Sequence, residues 1–242
     1  MSGAALLKAA YDDFELAISK LEAALDHIEN SAPTSEVRVL LLNNAIVALS
    51  ANLEEGLRAL FESYLTVLED EADAHDWLRS DLQTSNIRCY IKKLRELSPK
   101  GAIAISSNLH ACLTGSASFK LAKEDIVYNK GNFRSDQVRD TAVATGIREI
   151  WQTIADCPEI QAYFAEDRLE QRIGKLAARW NELFDERDLV VHRFSQASGW
   201  SKDRIAQAIE LSRLVLTRLA SCLIDDADGQ AINFRGRRLA AG

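Results

Sequence analysis

Leu7, Tyr11, Phe14, Ile18, Leu21, Leu25 and Ile28 follow one another in steps of four and three. That spacing returns each apolar side chain to one face of an α-helix, and it fits no strand, whose period is two. A stripe so continuous has to be buried against another helix. A partner follows directly. The stretch "NSAPTSEV" breaks the pattern: Pro33 disfavours helical geometry in the residue before it, and Ser35 is available as an N-cap. A second stripe then runs through Ile46, Leu49, Leu53, Leu57, Leu60, Tyr64 and Leu68, within a helix expected over Glu36 to Glu71. The two read as an antiparallel helical pair.

The rest of the chain continues in this style. Only 3 prolines and 11 glycines punctuate 242 residues, and 47% of them are hydrophobic, enough for a sizeable helical core. "HDWLRSDLQTSNIRCYIKKLRELSPKG" reads as a helix stopped by Pro99 and Gly101. Ala102 to Gly131 is less regular, with "LTGSASF" and "NKGNF" as loops. A helix resumes at Ser135, a candidate N-cap, and runs into Trp151; Pro158 marks a further break. Another strong helix starts near Glu166, with Leu169, Ile173, Leu176, Trp180 and Leu183 on its stripe. Ser201 can cap a last helix bearing Ile205, Ile209, Leu216, Leu219 and Leu223. The expected organisation is a single all-α domain over residues 1–225, with residues 1–34 as an amphipathic helix packed on it. Residues 226–242, which lack periodicity, are expected to form a mobile tail.

Several function classes are disfavoured. The N-terminus has no basic lead of the kind that opens a signal peptide. No uncharged run approaches the ~18 residues of a membrane span. Cys89, Cys112, Cys157 and Cys222 form no C-x-x-C pair, so neither zinc nor disulfides are expected. There is no Gly-rich phosphate loop, no Ser-His-Asp order and no H-E-x-x-H. The reading is a cytoplasmic protein with no membrane contact, no metal and no cofactor. The net charge of −7 hides a gradient: residues 1–80 hold five basic side chains against fifteen acidic ones, and residues 168–218 hold ten against seven. A polyanion would avoid the first part and tolerate the second.

One position breaks the helical pattern. The next member of the series ending at Leu183 is Arg187, a charge where an apolar residue belongs. Burying an arginine there is costly unless its stem snorkels outward, it meets an acidic partner, or it lines a site that expects an anion. His192 lies five residues on, about 140° away around a regular helix, so the two converge only if the helix unwinds between them.

The segment "WNELFDERDLVVH" resembles the R-x4-6-H motif of HEPN domains, all-helical modules many of which are metal-independent ribonucleases. "AIVALSANLEEGLRALFESYL" is similar to an early helix of the RiboL-PSP-HEPN branch. "GNFRSDQVRDTAVATGI" resembles its mid-chain segment, where an Asn-containing loop enters a short helix ending in Gly-Ile. The resemblance implies an all-α HEPN-type bundle with long antiparallel helices. It implies that Arg187 contacts a scissile phosphate and that His192 handles protons, which suits a bidentate guanidinium and an imidazole. It also implies a homodimer acting on RNA, as a toxin or antiviral effector with an antitoxin or other regulatory protein.

Asp188 could orient Arg187 or His192, or sit at the surface. Arg193 could reach RNA backbone or be solvated. Glu54 and Glu55 could hold Arg187, though an exposed helix face is the simpler reading. Phe194 stands where related toxins often carry a tyrosine used for modification. His27, His75 and His110 read as surface or helix-end residues, Trp151 and Trp180 as core. Trp200 is the one aromatic that could stack on a base, although packing is favoured. The alternative reading, drawn from the acidic balance and the stripe of residues 7–28, is a non-catalytic HEPN-like scaffold that binds a partner protein or nucleotide.

Overall fold

The computed structural model describes residues 3–31, 34–96, 98–127, 132–192 and 200–241. Among these there are ten α-helices, one 3-10 turn and no strand. The helices are α1 (Gly3–Asn30), α2 (Ser35–Glu71), α3 (Ser80–Glu96), α4 (Pro99–Thr114), α5 (Lys123–Val127), α6 (Ser135–Ala144), α7 (Ile150–Ala155), α8 (Pro158–Phe164), α9 (Leu169–His192) and α10 (Lys202–Ala241); the 3-10 turn is His75–Trp77.

The apolar stripes seen in the sequence close on one another. Leu7, Phe14, Ile18 and Leu25 of α1 are buried against Leu49, Leu53, Leu57 and Leu60 of α2 and Leu216, Leu219 and Leu223 of α10. Gly3, at the start of α1, lies against Val67 near the end of α2, so the two run antiparallel. On α10, Lys202 pairs with Asp26, and Arg213 with Glu22 and Glu15, which makes α1 antiparallel to α10 as well. The three meet at Gly56, where an added Cβ would come within 3.0 Å of Leu216 and Phe14. By length and composition α2 could cross a membrane, the single such helix among the described residues. This differs from the sequence reading. Its Ile46, Leu49 and Leu53 are closed into the core, while Val37 and Leu40 at its N-terminal end stay exposed.

Several sequence expectations are revised. Pro99 does not simply stop a helix; it occupies the first turn of α4, where its missing N–H costs nothing. The helix from Ser135 stops at Ala144 instead of reaching Trp151, because Gly146 adopts φ +90° and the Arg79 side chain packs on it. Ser35 and Ser135 are first helical residues, with Thr34 and Arg134 at the N-cap positions. Ser201 does cap α10, its Oγ accepting from the Arg204 N–H at 3.3 Å. His75 is buried, 2% exposed, with its ring edge on to Phe119 and Nε2 at 3.1 Å from Asn86 Nδ2.

The largest revision concerns the C-terminus. The expected mobile tail is instead the final turns of α10, held by specific contacts. Asp226 accepts from Tyr64 Oη and from Arg79 Nη2, each at 2.5 Å. Phe234 is 1% exposed and packs on Trp77, and Arg238 pairs with Asp73. Periodicity is hard to see there because Asp225, Asp226, Asp228 and Gly229 interrupt the apolar series. A chain ending at Asp225 is expected to lose about 3 kcal/mol or more of stability, from the Phe234 side chain and the unpaired Tyr64 hydroxyl. Urea unfolding of the two lengths measures it, and equal midpoints would contradict these contacts.

Candidate active site

α9 stays regular from Leu169 to His192, and its core-facing series runs on past Arg187 to Val190, which is 6% exposed. Arg187 therefore sits in an apolar seam, with its side chain 30% exposed. The cost of placing a charge there is met by two acceptors. Nη1 donates to Asn132 Oδ1 at 3.1 Å and to Asp188 Oδ1 at 2.9 Å. Among the described residues nothing takes Nη2 or Nε, so one edge of the guanidinium is left for an anion.

Asn132 is delivered by the segment entering α6, which is fastened to α9 along its length. Phe133 is buried, and its carbonyl accepts from Trp180 Nε1 at 2.7 Å. Arg134 spans Asp185 at 2.5 Å and Asp188 at 2.9 Å. The Ser135 N–H donates to Asn181 Oδ1 at 2.8 Å, and Asn181 Nδ2 donates back to Ser135 Oγ. Asn132 Nδ2 meets both oxygens of Asp188, at 3.0 and 3.1 Å. Burial pushes the Asp188 carboxyl up, but hydrogen bonds from Arg187, Asn132 and Arg134 outweigh it and hold its pKa below the ordinary value. Of the roles open to Asp188, orienting Arg187 is the one with a contact.

Glu54 approaches from α2. It is half-buried and makes no hydrogen bond to Arg187, and its Oε1 is enclosed without a partner. Burial raises its pKa, while the Arg187 and Arg58 charges pull it back down. Glu55, by contrast, is exposed and pairs with Arg58. The helix does not unwind, so His192 is exposed on another side of α9, one turn from Asp188 and three residues beyond Leu189, itself 36% exposed. Arg193 and Phe194 lie outside the described residues. Trp200 is 7% exposed beneath the Arg204 guanidinium, 4.9 Å from the ring centroid, and offers no face to a base. A cleft of about 820 Å³ lies elsewhere, among α2 to α5, and contains none of these residues.

The sequence reading missed Asn132 and Arg134 as site residues. Their signal was present in the "NFRS" preceding a helix, within the segment quoted for its resemblance.

In this all-helical fold an early helix, an Asn-bearing turn and the Arg187 turn of α9 come together. The RiboL-PSP-HEPN family profile matches residues 12–225, and the chain belongs to that family. No curated protein and no solved structure matches it. Membership in a HEPN family points to ribonuclease-type or nucleotide-related function.

The Glu54 carboxyl provides a direct test of the site's electrostatics. Its folded-state pKa lies above the ordinary 4.5, so ionising it costs stability as pH rises past that value. Glu54→Gln should therefore be more stable than wild type at neutral pH, and the difference should vanish below 4.5. Urea midpoints across that range would show it; a destabilised variant at neutral pH would mean that the Arg187 attraction outweighs burial.

Proposed function

We propose that the protein is a metal-independent endoribonuclease in which Arg187 holds the scissile phosphate and His192 transfers protons. The reading is carried by Arg187: a half-buried guanidinium, oriented through one nitrogen by Asn132 and Asp188, whose other nitrogens have no partner among the described residues. An arginine fixed this way fits a phosphate and the charge that grows on it during cleavage. The 2′-oxygen attacks phosphorus as its proton passes to an imidazole. The bond to the 5′-oxygen breaks and that oxygen is protonated, leaving a 2′,3′-cyclic phosphate and a 5′-hydroxyl.

His192 and Arg187 face different sides of a regular helix, which favours a second copy supplying the imidazole. Leu189, apolar and open on the same side as His192, gives that copy a surface to meet. A toxin or antiviral effector, held in check by an antitoxin or other regulatory protein, is the setting that fits such an enzyme. Glu54, half-buried and within reach of the Arg187 charge, supports the arginine from α2. Arg193, the next residue in the sequence, is a further candidate for contact with the RNA backbone.

The test is RNA cleavage by the purified protein in EDTA, with end-group analysis of the products. Arg187→Ala and His192→Ala should each lower the rate by about a hundredfold or more while leaving the far-UV spectrum and melting temperature intact. His192→Ala activity within about twofold of wild type would defeat the assignment. No cleavage by a folded wild-type dimer would favour a scaffold that binds a partner protein or nucleotide.

A further inference from the structure

The chain has 36 acidic side chains against 29 basic ones, so its cations meet carboxylates readily. Arg79, Arg134, Arg172, Arg213, Arg238 and Lys93 each do so. Others, such as Lys8, Lys20 and Arg38, form no ion pair with a described residue but are scattered, whereas on the outer face of α3 three such cations stand in line. Arg88, Lys92 and Arg95 are all exposed, and none forms an ion pair with a described residue. Their spacing places them within about 60° of one another over about 10.5 Å of helix axis. Thr84 and Ile91, the other exposed residues of that face, are uncharged, and Glu96, one turn past Lys92, forms no ion pair with it.

The row is also rigidly presented. The opposite face of α3 is buried through Leu82, Asn86 and Tyr90. The Asn86 side chain donates to the Lys120 carbonyl at 3.2 Å and accepts from the Ala122 N–H at 2.8 Å. Tyr90 Oη donates to the Lys120 carbonyl at 3.0 Å. Three unpaired cations in line on an anchored helix repel one another and stay hydrated unless an anion of matching length lies along them.

We propose that Arg88, Lys92 and Arg95 form a docking track for the backbone of single-stranded RNA, separate from the residues that cut it. A globular acidic partner would bring its own negative surface against a chain of net −7, whereas a single strand touches the row alone. The proposal rests on the ribonuclease reading for the identity of the polyanion. It explains how so acidic an enzyme holds its substrate: the track anchors a flanking stretch while Arg187 receives the scissile phosphate.

The test compares three full-length proteins, each carrying His192→Ala so that RNA survives: the parent, Arg88→Ala/Lys92→Ala/Arg95→Ala, and a control, Lys8→Ala/Lys20→Ala/Arg38→Ala. The control removes the same charge from exposed positions on α1 and α2. Binding of a labelled, unstructured RNA is followed by fluorescence anisotropy across a salt series. The track variant should bind about tenfold more weakly, with the slope of log K against log salt smaller by about 2, while the control stays near the parent. In the cleaving background the track variant should show a raised KM on long RNA, with kcat and dinucleotide cleavage unchanged. Parental affinity and slope in the track variant would overturn the proposal, as would an equal loss in the control, which would assign the effect to net charge. Failure of the ribonuclease reading appears separately, as cleavage that survives His192→Ala, and leaves the binding comparison standing.

Discussion

The long helices α1, α2 and α10 close on one another at a position without a side chain. Gly56 lets Phe14 and Leu216 approach the backbone of α2, and any larger residue must displace one of them. The consequence reaches the site. Glu54 is two residues away, about 200° around the helix, and so faces outward from this crossing. That side of α2 packs on α9, where the Arg187 charge acts on Glu54. A bundle held apart at Gly56 would carry Glu54 out of register with Arg187, although neither residue touches the glycine.

Two arginines of α9 show what separates a structural cation from a candidate functional one. Arg172 is 4% exposed, and most of its donors are occupied. Nε bonds the Ala155 carbonyl at 2.7 Å, Nη1 bonds the carbonyls of Glu166 and Asp167, and Nη2 lies 3.7 Å from Asp156. It ties the end of α7 and the turn before α9 to the helix, and its burial leaves little room for a ligand. Arg187 is oriented through Nη1 alone, and its remaining edge meets no described residue. Both positions look alike as charges interrupting an apolar helix. The count of occupied donors distinguishes them, and that count depends on backbone carbonyls and distant side chains.

The same distinction explains how far the sequence could be read. The helices α1, α2, α9 and most of α10 were legible because each buries an apolar stripe over most of its length, and a stripe is a local property. The final turns of α10 were not, since Phe234 and Asp226 are justified only by Trp77, Tyr64 and Arg79, all far away in the chain. In the site, Arg187 announced itself by breaking a stripe. His192 and Glu54 came from resemblance, and Asp188 from adjacency. Asn132 and Arg134 lay in a segment that carried the resemblance but were not read as site residues, because a polar turn before a helix looks the same whether it faces water or docks on Asp185 and Asp188.

The regular course of α9 carries one last consequence. Five residues separate Arg187 from His192, which sets them about 140° apart and about 7.5 Å along the axis. Asp188 lies between, 100° from the arginine and only 40° from the histidine, so its carboxylate is placed to influence both. On the proposed reading, a phosphate on Nη2 and Nε of Arg187 would lie over the seam shared with α2 and Asn132, on a different side from the imidazole. On the proposed roles, one chain presents Arg187 and His192 to different surroundings. Two copies meeting over Leu189 would remove that separation, each α9 end supplying the imidazole that the other's phosphate site lacks. On this geometry the isolated chain would bind the substrate phosphate better than it cleaves it, and association would act as the switch between the two.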